Sequence, residues 1–165
     1  MTPPVICIVG KSKSDKVRLM EALIREFQAR GLSVGALKHH KHGDFEIDIE
    51  GKDTWKYAKA GADTVAISSP TKLAMIKNVE SEMDIDEICG KYFTGSDIVL
   101  ADGFALSDKP RIIVADTCEE IELFERGCEV VAVVRKAGMG LEDTGGITSK
   151  ILSFLKRIST ADNRG

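Results

Sequence analysis

The first apolar run of the chain leads through a glycine into a lysine-rich turn, and this stretch constrains the fold more than any other. It spans Val5–Val17 and reads Val-Ile-Cys-Ile-Val-Gly-Lys-Ser-Lys-Ser-Asp-Lys-Val. A phosphate-binding loop has the pattern Gly-x-x-x-x-Gly-Lys-[Ser/Thr] between a strand and a helix. Gly10 and Lys16 match this pattern, whereas Asp15 and Val17 stand where it requires a glycine and a hydroxyl. The stretch therefore predicts a P-loop-like strand, turn and helix with two altered positions.

These two departures weaken the chemistry expected of such a loop. A P-loop holds phosphate with inward backbone N–H groups at the positive end of a helix, and Lys16 can still reach the β- and γ-phosphates. Asp15 adds a negative charge there, at a position that often needs a positive φ, and Val17 lacks the hydroxyl that ligates Mg²⁺. The other candidate phosphate contacts are Lys11, Ser12, Lys13 and Ser14. The alternative is an ordinary strand–turn–helix with a solvated turn.

Length, charge and cysteine spacing restrict the class of protein. A chain of 165 residues with a net charge of −3 predicts one α/β domain over residues 1–159 and a frayed tail over 160–165. The charge gives no sign of a nucleic-acid partner. We expect no membrane association, because the chain has no apolar run of about 18 residues and no signal peptide. The four scattered cysteines are typical of reduced, structural thiols in a cytoplasmic protein.

Apolar runs and amphipathic runs alternate along the chain. Strands are predicted at Val5–Val9, Ser33–Lys38, Thr64–Ser68, Ile98–Ala101, Arg111–Ala115 and Val130–Val134, with Lys72–Asn78 as a further, antiparallel candidate. Helices are predicted at Lys16–Arg30, Lys52–Ala60, Ile85–Tyr92, Cys118–Phe124 and Thr148–Ile158. This order predicts an α/β fold with a single doubly wound, mostly parallel sheet of P-loop NTPase type flanked by helices. Ligands of such folds bind at the carboxyl ends of the strands.

Two further segments carry candidate functional residues. All three histidines lie at His39, His40 and His42, in a loop that continues with alternating acids. We interpret this loop as a phosphate or substrate contact or as a solvated edge strand; zinc is less favoured, because zinc ligands usually come from separated segments. Asp53 resembles a helix N-cap. The acid Asp102 ends an apolar strand, where P-loop proteins place a carboxylate for Mg²⁺ or its water, although an Asp-Gly turn alone is common.

Taken together, these motifs resemble the MobB family, molybdopterin-guanine dinucleotide biosynthesis protein B. The matching pieces, in the family's order, are Gly10–Lys16, Lys38–His42, Gly51–Trp55, Lys59–Ala62, Ser69–Pro70 and Asp102–Phe104. The resemblance implies a GTP-binding homodimer that assists the molybdopterin guanylyltransferase and hydrolyses GTP weakly at most. It leaves open whether molybdopterin itself is bound.

The resemblance also implies roles for individual residues. It matches Gly10, Ser12, Ser14 and Lys16 to the phosphate loop, and the predicted cofactor-binding loop also includes Lys11, Lys13, Asp15 and Val17. It places His39 and the turn with Lys52 and Asp53 near the phosphates and metal, and Asp102 with Gly103 at the metal position. Asp102 stands where the family usually has glutamate, and Asp15, Val17 and Arg18 also depart from the family. Mg²⁺ binding is therefore expected to be weakened or absent.

Three functions remain open from the sequence. The first is a GTP-binding accessory protein with a degenerate P-loop and little hydrolysis. The second is a weak Mg²⁺-dependent GTPase or small-molecule kinase, and the third is a partner-binding module that has lost nucleotide. The guanine signature of signalling GTPases is absent, so the preference for guanine depends on the resemblance alone. Base contacts are expected near Val130–Val134 and the following residues 135–140.

Overall fold

The computed structural model describes residues 2–43, 45–125, 127–135 and 144–162. The strands in this part of the chain are β1 Val5–Gly10, β2 Val34–Lys38, β3 Thr64–Ser68, β4 Leu73–Lys77, β5 Ile98–Asp102, β6 Arg111–Val114 and β7 Val130–Val134. The helices are α1 Lys13–Ala29, α2 Asp53–Lys59, α3 Ile85–Tyr92, α4 Cys118–Phe124 and α5 Thr144–Asp162. Most bounds lie within one residue of the sequence prediction, and the start of α1 and both ends of α5 differ by more.

The chain divides into two compact units, of which the first comprises residues 1–39 and 85–165. Its core is a five-stranded sheet in the order β2-β5-β1-β6-β7, in which every pairing is parallel. The sheet and its helices confirm the predicted α/β fold class. Since the strands run in one direction, the carboxyl ends of β1, β2 and β5 lie at the same edge, with Gly10, Lys38 and Asp102 as their last residues.

Side-chain alternation along the central strand β1 separates two hydrophobic layers. Ile6 and Ile8 are fully buried in a layer that contains apolar side chains of α1 and α5. Cys7 and Val9 point the other way, into a layer formed with side chains of α3 and α4. A strand covered on both faces has to be apolar throughout, and this explains why β1 reads as a continuous apolar run.

The second unit comprises residues 40–84 and is built on a hairpin. Strands β3 and β4 pair antiparallel as a separate two-stranded sheet, with Val65 opposite Ile76. The antiparallel prediction for Lys72–Asn78 is therefore confirmed, whereas the formation of a second sheet was not predicted. The hairpin leaves Ile67 and Leu73 more than half exposed, at 61% and 70%.

Some predictions are left untested by the fold. The single-domain interpretation of residues 1–159 stays a prediction, as does the frayed tail, of which residues 163–165 lie outside the described part. None of the four cysteines is in a disulfide. In the described ranges, no helix is both long enough and apolar enough to span a bilayer.

We predict that Gly10→Ala destabilises the protein by about 2–3 kcal/mol, the cost typical of forcing extra atoms into a packed site. A Cβ at Gly10 would lie 2.3 Å from the backbone oxygen of Val114 on the neighbouring strand β6. Gly31→Ala is the matched control, because no heavy atom lies within 4 Å of a Cβ there, although its φ is +79°. The control should lose about 1 kcal/mol, from backbone strain alone. Urea unfolding followed by circular dichroism measures both, and equal losses would contradict the crowding at Gly10.

Candidate functional site

The turn between β1 and α1 is shorter than a phosphate-binding loop. Helix α1 begins at Lys13 rather than at the predicted Lys16, with Ser12 as its N-cap. The Oγ of Ser12 accepts a hydrogen bond from the backbone N–H of Asp15 at 3.3 Å. This spacing is that of a capping box, Ser-x-x-acid, and a carboxylate in the first turn is stabilised by the helix dipole.

The helical start corrects one expectation about Asp15. Its backbone lies in α1 and does not have a positive φ; in the part of the chain that the structure describes, Phe104 is the non-glycine residue with a positive φ. Asp15 therefore causes no backbone strain at this position and instead favours the helix. The sequence signal, Ser12 three residues before Asp15, was present but was outweighed by the P-loop pattern.

Lys16 and Lys38 converge on the buried carboxylate of Asp102. The Nζ of Lys16, from α1, lies 2.8 Å from Oδ1, and the Nζ of Lys38, from β2, lies 2.6 Å from Oδ2. The side chains of Asp102 and Lys16 are only 7% and 13% exposed, whereas Lys38 is 63% exposed. Lys38 is placed by the register between β2 and β5, in which it is the direct partner of Asp102. The three side chains carry a net charge of +1.

The charges around Asp102 determine its ionisation. Burial raises the pKa of Asp102, but the close ammonium groups of Lys16 and Lys38, of which Lys38 donates a hydrogen bond to Oδ2, together outweigh burial, so that its pKa is lowered. Asp102 is therefore ionised at neutral pH, and its charge is more than balanced by its two partners.

The positive charges around Asp102 oppose the binding of a magnesium ion. Both oxygens of Asp102 face an ammonium group, although Oδ1 accepts no well-directed hydrogen bond from the described residues. Val17, the next residue after Lys16, offers no oxygen ligand. No group of three or more His, Cys, Asp or Glu side chains in the described ranges is arranged to hold a metal. The assignment of Mg²⁺ to Asp102 stays a prediction that the surrounding charges oppose.

Next to the charged side chains lies an aromatic pair. The rings of His39 and Phe104 are stacked with centroids 4.6 Å apart and an interplanar angle of 28°. The backbone N–H of His39 donates to the carbonyl of Asp102 at 2.9 Å. Gly103, with φ +108°, lies so close that an added Cβ would be 2.9 Å from the Cβ of His39. Only glycine fits at this position without a shift of His39.

Other residues of the predicted phosphate loop lie around the start of α1. Lys11 is exposed, with its Nζ 3.7 Å from a carboxylate oxygen of Glu120, and Ser12 and Ser14 place their hydroxyl oxygens 3.3 Å apart. Lys13 is the first residue of α1 and is exposed. A small, largely apolar cavity of about 180 Å³ opens along α1 and β2, lined by Val17, Met20, Glu21, Ile24, Ala36, Leu37, Lys38 and Asp102.

The remaining predicted contacts lie in the second unit or in the base-contact region, of which Val130–Val134 form strand β7 of the first unit. Lys52 and Asp53 are exposed, and the N-cap of α2 is Lys52 rather than Asp53, which is the first helical residue. The rings of His40 and His42 are 5.7 Å apart. The roles predicted for these residues remain untested. Of the predicted base-contact region, residues 136–140 lie outside the described part.

Sequence reasoning missed two residues of the site. In the sequence, Lys38 stands out only as the residue before the histidines. Its contact with Asp102 depends on the pairing of β2 with β5, two strands that are far apart in the sequence. Phe104 was noted only as the residue after Asp102-Gly103, and its stacking on His39 depends on the left-handed backbone that it adopts, with φ +53°.

The family model of MobB, described as molybdopterin guanine dinucleotide synthesis protein B, matches residues 5–136 of the 165. The chain belongs to the MobB family. The resemblance drawn from the motifs is therefore confirmed, and the family model extends further along the chain than the last of these motifs, Asp102–Phe104.

Individual MobB relatives agree with this assignment. The molybdopterin-guanine dinucleotide biosynthesis adapter protein of Haemophilus influenzae is 32% identical over 112 residues, which cover 67% of this chain and 62% of the relative. The probable adapter protein of Bacillus subtilis is 28% identical over 135 residues, covering 81% and 77%. The aligned part thus spans less than two-thirds of the H. influenzae protein. The protein in a crystal structure of molybdopterin-guanine biosynthesis protein B is 34% identical to this chain, and the two structures align with a TM-score of 0.75. The alignment covers 92% of this chain and 99% of the crystallised chain.

We predict that Asp102→Asn lowers the free energy of unfolding by about 3 kcal/mol at neutral pH. The variant leaves the buried ammonium of Lys16 beside a neutral amide, and the loss is typical of a broken buried ion pair. The folded pKa of Asp102 is lowered relative to the unfolded value of about 4. Its contribution is therefore present in full above about pH 5 and is lost as the pH falls through the folded pKa.

Urea titrations of the wild-type protein and of Asp102→Asn at several pH values measure this contribution. The difference in unfolding free energy between the wild-type protein and Asp102→Asn should stay constant above about pH 5 and become smaller below about pH 4. Asp108→Asn is the control, because that side chain is 85% exposed and its removal should cost less than about 0.5 kcal/mol. A gap for Asp102→Asn that does not narrow in acid would contradict the proposed pairing.

Proposed function

We propose that this chain is an adapter protein of molybdopterin-guanine dinucleotide biosynthesis that binds GTP at the carboxyl edge of its parallel sheet and hydrolyses it little. Membership of the MobB family and the similarity to the H. influenzae adapter protein support the adapter role. The observation that carries the GTP proposal is the excess positive charge of Lys16 and Lys38 around Asp102.

The phosphates of GTP would bind where these ammonium groups meet the start of α1. The first backbone N–H groups of a helix lack partners within the helix, and together with the dipole they favour an anion. A phosphate can draw Lys38 away from Asp102 at little cost, since this side chain is 63% exposed. Lys16 can then contact both Asp102 and the phosphate, because an ammonium group has three donors.

Little hydrolysis is expected, because the means of stabilising transferred charge are incomplete. In P-loop enzymes a metal ion held by a hydroxyl and a carboxylate neutralises the charge that develops on the phosphates. Here Val17 supplies no hydroxyl, and Asp102 is already paired with two lysines. A weak GTPase or kinase activity is thus the less favoured alternative.

The proposal includes a molybdopterin guanylyltransferase as partner and a homodimer as the assembly, and direct contact with molybdopterin remains open. The hairpin of the second unit exposes Ile67, Leu73 and Met75, at 61%, 70% and 43%. Leu73 and Met75 share one face of the hairpin, and Ile67 lies on the other. Exposed apolar side chains that share a face are typical of surfaces that other protein chains cover. Localisation in the cytoplasm is part of the same proposal.

A module without nucleotide is the second candidate function, and one observation favours it. Asp102 already satisfies Lys16, and the first turn of α1 occupies residues that a P-loop would leave as an open cradle. Calorimetric titration with GTP, GDP and ATP, with and without Mg²⁺, separates the candidates. GTP binding without appreciable phosphate release supports the adapter; no binding of any nucleotide supports the module.

We predict that Lys16→Ala weakens GTP binding at least tenfold, which is about 1.4 kcal/mol. The variant removes the ammonium that would contact the phosphates and leaves Asp102 paired with Lys38. Arg25→Ala is the matched control, because Arg25 is an exposed cation of the same helix, paired with Glu21. Its GTP affinity should match that of the wild-type protein. Equal affinity of Lys16→Ala and the control would reject the assigned role of Lys16.

We predict that the double variant Asp15→Gly with Val17→Thr binds Mg·GTP at least tenfold more tightly than the wild-type protein. The change removes a carboxylate from the first turn of α1 and its capping contribution, and restores the hydroxyl that ligates Mg²⁺. Titration with and without Mg²⁺ measures the gain. Glu21→Gln, which removes a more distant carboxylate of the same helix, should leave the affinity unchanged. An unimproved double variant would refute this account of the turn.

A further inference from the structure

Arg111, the first residue of β6, is a buried cation that no part of the proposed function uses. It is 1% exposed. Its Nη1 donates to the carbonyl oxygens of Ala105 at 3.0 Å and Phe124 at 2.9 Å, and its Nη2 donates to that of Ser107 at 2.5 Å. The guanidinium thus joins the end of α4 to the turn that follows β5, and it holds this turn at two points.

The turn held by Arg111 has an unusual backbone. Both the N–H and the hydroxyl of Ser107 donate to the carbonyl of Phe104, at 3.0 and 2.8 Å. Phe104 itself has φ +53°, a left-handed conformation that costs about 1–2 kcal/mol for a residue with a side chain. Such a conformation persists only where the surrounding contacts enforce it. Arg111 supplies two of the contacts that close this turn.

The conformation of Phe104 determines where its ring lies. The ring stacks on His39, whose backbone N–H is bonded to the carbonyl of Asp102. A continuous series of contacts therefore leads from Arg111 through the turn and Phe104 to the imidazole beside the charged site. Arg111 touches neither His39 nor Asp102 in any contact described above, so that its effect on the site is indirect.

We propose that Arg111 is a positioning residue: by fixing the turn Phe104–Ser107, its guanidinium holds the Phe104 ring against His39 and so sets the orientation of the imidazole at the anion site. The binding of an anion at this site rests on the proposed function, whereas the positioning of His39 does not. Lysine at position 111 could donate to some of the same carbonyls, but it lacks the planar fork that spans both segments.

Proton NMR of the His39 imidazole tests the positioning directly, because a stacked ring shifts the resonances of its neighbour. The three histidines are assigned by single substitutions to glutamine, and Phe104→Leu defines the His39 shift without the ring. In Arg111→Met, the His39 resonances should move towards their positions in Phe104→Leu. In Arg111→Lys, the His39 resonances should move part of the way. This variant replaces Arg111→Met in the test if Arg111→Met does not fold. Arg30→Met, a surface cation paired with Glu26, is the control and should leave His39 unchanged.

A folded Arg111→Lys or Arg111→Met protein with wild-type His39 resonances would overturn the proposal. A second arm measures GTP affinity by calorimetry. Arg111→Lys should weaken GTP binding several-fold in the wild-type background but not in a His39→Ala background, because its effect passes through His39. Equal weakening in both backgrounds would count against the positioning role. If the wild-type protein binds no GTP, the proposed function fails, whereas the NMR arm still decides the role of Arg111.

Discussion

The structure of the site depends on one requirement: the carboxylate of Asp102 is almost entirely buried and must be compensated. A buried ionised group without partners would be unstable by several kcal/mol. Lys16 and Lys38 meet this requirement from two different elements, and the contacts tie helix α1 and strand β2 to the end of β5. The compensation exceeds one charge, and this excess makes the carboxyl edge of the sheet attractive to an anion.

The ion pairs of Asp102 with Lys16 and Lys38 would also compete with the binding of a phosphate at this site. A phosphate that enters the site has to compete with Asp102 for at least one ammonium group. Lys38 is the more easily released of the two lysines, since its side chain is largely in solvent, whereas Lys16 is nearly buried. On the proposed function, the affinity for GTP would consequently be a difference between two similar electrostatic interactions. Small changes at the start of α1, such as the carboxylate of Asp15, are then able to alter it substantially.

The sequence predicted the elements well and the contacts between them less well. Continuous apolar runs identified β1 and β5, because strands buried on both faces have few polar positions. The motif reasoning also associated Lys16 with Asp102, since both belong to the carboxyl edge of a parallel sheet. The contact of Lys38 depends on the register between β2 and β5, which no local pattern encodes. The separate sheet of β3 and β4 was missed for a related reason: sheet membership is decided by pairing, not by propensity.

Three consecutive residues, 102–104, connect the charged part of the site with its aromatic part. Asp102 holds the lysines, Gly103 permits the close approach of His39, and Phe104 covers the imidazole. Because the carbonyl of Asp102 also accepts the N–H of His39, a movement of Asp102 on anion binding would be transmitted through this hydrogen bond to the ring pair. Arg111 fixes the far end of this segment, so that the transmitted movement would turn the rings rather than loosen the turn. On the proposed function, the charged and aromatic parts of the site would therefore respond to an anion as one unit.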